Sequence, residues 1–392
     1  MARRNDEMPD EVLEEILSWV PPESLIRFKC VSKSWNALIN SLIKDSAFVN
    51  KHLHNFHINP FSSPCSSFLL FPRRVYSWSL SKYAFDLVSL LSLSIDDVAN
   101  DRICGRRISP VLPMGMPDMS ANHICHCNGI ICVASHKGDM VLCNPAIKKF
   151  RTIPNPFCGD DNWLLLVVVG VGFGYESRAN DYKAVSIVIG MSRNDGLWLL
   201  RAKLYRTKTD SWREIGIHLQ SDDIPFFDTA ISCKGVIYWT MLNPKSCSFG
   251  ILSFDMADDL FLFIQLPDNV QKEEENIRIA LWNDSVSLFS YSSKGGTFVS
   301  INAWVMDECS NGVRGSCSWI KKLTIGPLEA IYRPWIFWKN DELLMERTDE
   351  RLISYNIQTH MLRNIAIQEA ERDPNFRRNN WVFPYVKSLV SV

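Results

Sequence analysis

Residues His123, Cys125, His126 and Cys127 are the side chains of this sequence best suited to hold a metal. A structural zinc takes pairs of ligands about two to four residues apart, with a second pair further along. If this stretch is a strand, Cys125 and Cys127 lie on one face and His126 on the other. No second pair stands at a usual spacing, so a buried strand is the expectation and no metal is expected. Gly170-Val-Gly-Phe-Gly-Tyr follows an apolar run, as a dinucleotide-binding loop would. That chemistry requires a helix next, whose N-terminus meets the pyrophosphate. Here a turn over 176–181 leads into Tyr182-Lys-Ala-Val-Ser-Ile-Val, a β-like run. The glycines read instead as places where strands pack closely. No His-Glu-x-x-His, no Gly-x-Ser-x-Gly and no phosphate loop occurs. No catalytic residue and no cofactor is expected, although some strand-rich folds of this kind are enzymes.

The elements that must position any functional residue divide the chain in two. The head, residues 8 to 39, is helical in pattern. Pro9 suits a helix start, and Asp10 and Glu11 set negative charge against the positive end of the macrodipole. Val12, Leu13, Ile16, Leu17 and Val20 fall on one helical face. Pro21 and Pro22 stop that helix, and Glu23 or Ser24 can restart one through Leu25, Ile26 and Phe28. Ser32 then caps a third helix carrying Trp35, Leu38 and Ile39. Helices this small cannot hold a core alone, so the apolar face needs a partner, in this chain or in another.

The remainder reads differently. Ser46 to Leu53 is a short amphipathic piece that extends the helical head. Residues 60 to 122 read as irregular, with Ser and Pro clusters and strand-like runs such as Ser67 to Phe71. From Cys125 onward, strand follows strand with turn signals between them. Gly129-Ile-Ile-Cys-Val-Ala, Met140-Val-Leu-Cys-Asn-Pro and Lys149-Phe-Arg-Thr-Ile-Pro form a first group. Gly235-Val-Ile-Tyr-Trp, Ile251-Leu-Ser-Phe-Asp and Phe261-Leu-Phe-Ile-Gln-Leu-Pro repeat it. A period of about 40 to 50 residues with several strands per unit predicts a propeller, in which stacked blades supply the core. A two-sheet sandwich is the alternative. The expected class is α+β: a three-helix head, then a mainly-β, propeller-like domain.

Composition narrows the function classes. Apolar residues make up 46% and charged residues 22%, near globular averages. The formal net charge of −1 argues against a general nucleic-acid binder. The Arg- and Asp-rich opening predicts no secretory leader. The longest apolar run, Trp163 to Gly174, falls short of the roughly 20 residues a bilayer takes, so no membrane partner is expected. The twelve cysteines then predict buried thiols rather than disulfides, Cys125, Cys127, Cys132 and Cys143 among them. Arg73-Arg74, Arg102 and Arg106-Arg107 make a basic region. Asp222-Asp223, Asp258-Asp259 and Glu273-Glu274-Glu275 make acidic loops. Solvated loops are the plain reading of each.

Two resemblances add to these readings. In order and spacing, Pro9, Leu13, Ile16, Leu17, Pro21, Leu25, Phe28, Val31 and Trp35 resemble an F-box over residues 5 to 50. The resemblance implies that these residues bind a Skp-family adaptor, with the Trp holding the module together. The adaptor in turn bridges to cullin and a ring subunit. Cys127-Asn-Gly-Ile-Ile-Cys, Ser211-Trp-Arg-Glu-Ile, Ala303-Trp-Val-Met-Asp, Trp319-Ile-Lys-Lys-Leu-Thr-Ile-Gly-Pro-Leu and Phe337-Trp-Lys-Asn-Asp-Glu-Leu-Leu-Met resemble the plant F-box-associated domain, over residues 60 to 392. That family implies a substrate-recognition domain whose stretch Tyr385 to Val392 is a closing strand. The whole is most similar to the pollen S-locus F-box proteins of the rose family. It implies a non-catalytic ubiquitin-ligase receptor, in the cytoplasm and with the nucleus open to it, that recognises non-self S-RNase, a basic protein that acidic loops would steer. A receptor for another target, or an F-box scaffold without ubiquitin transfer, is the alternative. The substrate-binding residues are left unassigned.

Overall fold

The computed structural model describes residues 8–58, 67–77, 82–97, 102–110, 123–159, 163–217, 225–228, 230–243, 248–271, 276–294, 298–307, 317–339, 341–349, 351–368 and 382–392. The head is helical as expected: α1 Asp10–Leu17, α2 Pro22–Phe28, α3 Lys33–Lys44 and α4 Ser46–Ile58. Pro9 and Pro21 occupy the N-caps of α1 and α2, and Pro22 is the first residue of α2, where its missing N–H is no loss. Ser32 caps α3 by accepting the Trp35 backbone N–H at 3.2 Å. The amphipathic piece at Ser46 is a full helix. It locks the end of α1, since Asn55 donates to the buried Ser18 hydroxyl at 2.8 Å and His52 Nε2 lies 2.9 Å from the Val20 carbonyl.

Beyond the head the chain is almost entirely antiparallel strand, arranged in five sheets. Residues 67–110, read above as irregular, form three strands: β1 Ser67–Ser77, β2 Lys82–Asp97 and β3 Arg102–Pro110. They pair with one another as a meander, β1 with β2 and β2 with β3, and their Ser and Pro content masks the alternation that would mark them. The first four-stranded sheet is β4 His123–Cys127, β5 Ile130–Ala134, β6 Met140–Asn144 and β7 Lys149–Ile153. The second is β8 Trp163–Glu176, β9 Asp181–Ser192, β10 Trp198–Arg206 and β11 Ser211–Ile215. The third joins β12 Phe226–Phe227, β13 Ile231–Cys233, β14 Val236–Asn243, β15 Ser248–Asp255 and β16 Leu260–Ile264. The fourth is β17 Asn276–Trp282, β18 Ser285–Lys294, β19 Phe298–Asp307 and β20 Ser318–Glu329.

The fifth sheet is double. Strands β21 Ile331–Lys339, β22 Glu342–Arg347, β23 Leu352–Asn356 and β24 Leu362–Gln368 make one half. Strands β3, β2, β1 and β25 Phe383–Tyr385 make the other, and the parallel pairing of β24 with β3 joins them. The closing strand expected over Tyr385–Val392 lies upstream of that stretch: the strand that pairs with β1 is β25, with Phe68 opposite Tyr385, and of the expected stretch only Tyr385 belongs to it. Residues 386–392 are not in a strand and run on beneath the helices.

The turn after β4 meets the start of β9, and the turns after β13 and β17 meet each other. Asn128 donates to the Tyr182 hydroxyl at 3.1 Å, which ties the turn after β4 to the start of β9. Cys233 donates to the Asp284 carbonyl, and Trp282 stacks on Phe337 with centroids 4.3 Å apart. The glycine-rich run in β8 has a packing role. A Cβ on Gly172 would stand 2.4 Å from the Trp239 ring, and one on Gly174 2.4 Å from Met256. Trp239 is fully buried and donates to the Val171 carbonyl at 3.1 Å. Strand β8 can press this closely on its neighbour only because it lacks side chains there.

Candidate functional site

The helical head has two faces. Its inner face is a core of Leu17, Leu25, Ile39, Leu42 and Phe48, completed by two propeller residues, Ile147 and Leu389. Leu17 is 2% exposed and Leu25 1%. Val49 and Leu53 of α4 continue the contact into the propeller core, and Lys387 pairs with Glu23 at 2.6 Å.

Segment 386–392 is held from the other side as firmly. Asn144, fully buried at the end of β6, donates to the carbonyls of Ser388 at 3.1 Å and Val390 at 2.7 Å. Its own carbonyl accepts the Ala146 N–H at 3.0 Å, so its amide flip is fixed by the backbone. Ser388 donates its hydroxyl to the Asn128 carbonyl at 2.6 Å. The Tyr385 hydroxyl reaches the Gly129 carbonyl at 3.2 Å. Gly129 sits at φ +78°, and a Cβ there would meet the Ser388 Oγ at 2.4 Å, so glycine serves both the turn and the close approach.

The outer face is apolar and uncovered. Ile16 is 47% exposed and Val31 65%, with Pro9 and Pro21 exposed beside them. Leu13, Phe28 and Trp35 are half-buried between the two faces, and Phe28 meets the Trp35 ring edge-on at 5.5 Å. The nine residues that resemble the F-box pattern thus separate. Four lie open, three bridge, and Leu17 and Leu25 support the face from beneath without reaching its surface. Met8, Val12 and Trp19 are also exposed on α1 and its flanks. Sequence reasoning put Val12 on the apolar helical face but left all three out of the adaptor-binding set, yet Val12 and Trp19 flank Ile16 by one helical turn on either side, which is the signal that finds them. Trp19 donates its indole N–H to Glu15 at 3.1 Å, and Lys51 of α4 pairs with the same carboxylate. Hydrogen bonds from Lys51 and then Trp19 hold the Glu15 carboxyl below the usual range.

Other sequence candidates resolve as structure. Cys125, Cys132 and Cys143 are buried free thiols and Cys127 is half-buried. Burial pushes Cys143 up to about 11 and Cys127 to about 12. His126 packs its ring against Phe383 at 5.2 Å, in the contact between β4 and the closing strand. Among the described residues, no group of three or more His, Cys, Asp or Glu side chains is placed to hold a metal ion. Of the acidic runs, Asp259 is absorbed internally, pairing with the buried Lys183 at 3.0 Å, with Arg206 at 2.9 Å and with Arg213. Burial works to raise its carboxyl, but Lys183 and the two arginines hold it below the usual range. Asp222-Asp223 and Glu273–Glu275 lie outside the described residues. Among the described residues, no helix is long and apolar enough to cross a membrane.

Comparison with known proteins agrees with this division. Residues 6–46 match the F-box domain, and residues 80–392 match the F-box associated beta propeller domain. An F-box protein of Arabidopsis thaliana is 24% identical over 359 residues, covering 88% of this chain and 85% of its own length. An F-box/kelch-repeat protein of the same plant is 27% identical over 333 residues, covering 81% and 79%. Among solved structures, an oligogalacturonate lyase in complex with manganese covers 78% of the chain at a TM-score of 0.45 and 12% identity, a likeness that says nothing of activity. With four helices set on a propeller and both family patterns matched in register with them, the chain belongs to the F-box proteins that carry an F-box-associated β-propeller domain.

Proposed function

We propose that this protein is the substrate-recognition subunit of an SCF-type ubiquitin ligase and does no chemistry itself. One observation carries the reading. The same three helices are buried against the propeller on one side and present an open apolar row, Pro9, Val12, Ile16 and Val31, on the other. An uncovered apolar patch on an otherwise packed module is what a protein partner takes up. The Skp-family adaptor docks on that row, bridging to cullin and the ring subunit. The propeller presents the target, and proximity raises the effective concentration of its lysines at the charged ubiquitin carrier. The test is co-expression with the adaptor. Wild-type chain co-purifies with adaptor and cullin, while Ile16→Asp with Val31→Asp stays folded and does not. A folded double variant that still holds the adaptor would refute the reading.

The finer reading is that the target is non-self S-RNase and that the protein acts in pollen, in the cytoplasm or nucleus. The likeness of the propeller motifs to the S-locus receptors supports it. Because Asp259 is neutralised within the fold, any acidic steering of a basic RNase falls to other loops. Recovery of an RNase from pollen with the proteasome inhibited tests this. Recovery of an unrelated target in its place would leave the receptor assignment and remove the S-RNase one.

A further inference from the structure

Trp19 continues the open row of α1. It is 45% exposed, and Val12, Ile16 and Trp19 follow one another at four and three residues, so the three side chains share one stripe. Helix α1 ends at Leu17, but the Trp19 backbone N–H still donates to the Ile16 carbonyl at 3.1 Å, which carries the turn on to it. The ring is held in place. Its indole N–H donates to one oxygen of the Glu15 carboxylate at 3.1 Å, and the other oxygen takes the Lys51 ammonium. Tryptophan is among the residues that most often carry binding energy at protein interfaces. An open tryptophan fixed at the end of an apolar row is continuous with the surface that row offers.

Lys51 comes from outside the F-box. Residues 6–46 match that domain, and Lys51 lies on α4 beyond them. Two neighbours on α4 grip the same end of α1. His52 Nε2 lies 2.9 Å from the Val20 carbonyl, and Asn55 donates to the Ser18 hydroxyl at 2.8 Å. Ser18 in turn donates to the Glu15 carbonyl at 2.7 Å. Helix α4 is itself anchored, since Phe48 lies in the core of the head and Leu53 in that of the propeller. The aim of Trp19 is thus set by a helix seated on the propeller. The side chains of Lys51 and Glu15 are 48% and 52% exposed, so their pairing adds little to stability. What it supplies is restriction. A side chain ordered before it docks loses less entropy on binding.

We propose that Trp19 is an anchor of the adaptor interface and that Lys51, acting through Glu15, is a positioning residue for it. Helix α4 then extends adaptor recognition beyond the F-box helices. That the partner is the Skp-family adaptor rests on the receptor reading. The test titrates purified adaptor into the full chain and reads Kd by calorimetry. Trp19→Ala weakens binding about tenfold or more. Lys51→Met weakens it about three- to tenfold, and Lys51→Arg, which keeps the charge, binds as wild type. In the Trp19→Ala background Lys51→Met loses nothing further, because a positioning role needs the ring it positions. Trp19→Phe keeps an aromatic ring without the N–H, behaves as Lys51→Met, and guards against a folding defect in the alanine variant. Thermal midpoints stay at the wild-type value throughout. Wild-type affinity in Trp19→Ala, or a loss that comes only with a lowered midpoint, overturns the anchor. An equal loss from Lys51→Met in both backgrounds overturns the positioning role. Ile16→Asp with Val31→Asp is measured alongside. If that variant keeps the adaptor, the receptor reading falls; if it loses the adaptor while Trp19→Ala binds as wild type, only the assignment of Trp19 falls.

Discussion

Asn144 donates its side-chain amide to the backbone carbonyl of Val390 at 2.7 Å, across 246 positions of sequence. The bond lies within the described core and pins segment 386–392 to β6, while Leu389 of that segment plugs the underside of the helical head. Asn144 thus joins Ile147, Leu53 and the Lys387–Glu23 pair in holding the helical head on the propeller.

Replacing Asn144 by Ala leaves the Ser388 and Val390 carbonyls buried without that donor. Each such group costs about 1–3 kcal/mol, so the midpoint of thermal unfolding falls by several degrees. Limited proteolysis is expected to cut near segment 386–392 before the propeller blades. A melt and cleavage pattern equal to wild type would remove the coupling role.

The two faces of the head separate stability from binding. Leu17→Ala opens a cavity in the core it shares with Leu25, Ile39 and Leu389 and costs about 2–5 kcal/mol. Ile16→Ala, at an open position, changes stability by well under 1 kcal/mol and weakens adaptor binding. Calorimetry with a binding assay on both variants distinguishes them. Loss of binding without loss of stability in Leu17→Ala would contradict its place in the core.

At the blade contact, Gly172→Ala drives a Cβ to within 2.4 Å of the Trp239 ring and 2.6 Å of Ile237. Both neighbours are fully buried, so neither can give. Overpacking of this kind costs about 1–3 kcal/mol. Gly196→Ala, whose Cβ would meet nothing, is the control for added bulk, with only its φ of +68° to strain. Chemical denaturation of the two variants reads the difference.

Lys183 has a side chain 1% exposed; its ammonium donates to the Met256 carbonyl, and Asp259 at 3.0 Å is its nearest carboxylate, with Glu176 at 4.0 Å. Asp259→Asn strands a buried ammonium and costs about 3–5 kcal/mol. Asp259→Asn combined with Lys183→Met recovers much of that loss. A double-mutant cycle measures the coupling, and additive losses would show that the pair does not act as one unit.

Acid sensitivity has a local source. Burial pushes His123 down to about 4, against a smaller opposing pull from the Val168 carbonyl, which lies 3.2 Å from its Nε2. His136 packs edge-on against it at 5.4 Å and reaches the same carbonyl at 3.2 Å. The folded value lies below the ordinary one of about 6.5, so this contribution to stability is complete above that pH and is lost as pH falls towards 4. The loss amounts to about 3 kcal/mol. His123→Gln, which does not titrate, is expected to flatten the stability curve over that window. An unchanged slope would assign the acid sensitivity elsewhere.

The head was legible because its signals are local. Pro9 and Ser32 act within one turn and stand at the helix starts they predict, whereas Pro21, read as the stop of the first helix, is the N-cap of α2, and α1 already ends at Leu17. The strands from β4 onward were legible by alternation and turn residues, and the glycines of β8 by the absence of a following helix. The strands β1 to β3 were not, because Ser and Pro interrupt their alternation, and their joining to β25 and β24 links residues too distant for any local pattern to report. Nor did spacing separate Leu17 from Ile16. Both lie on the apolar side of α1, and the tertiary packing of α2, α3, α4, Ile147 and Leu389 decides which is covered.

The plug at Leu389 also sets an order of events. A ribosome makes Leu17 and Leu25 early and Leu389 hundreds of residues later, so the underside of the head stays open through most of synthesis. Ring closure by β25 waits on the same late residues and carries the loop-closure cost of nearly the whole chain. A nascent chain cut short before segment 386–392 would offer the adaptor helices without their floor. The underside of the helical head is therefore covered only once residues 386–392 are in place and β25 has paired with β1.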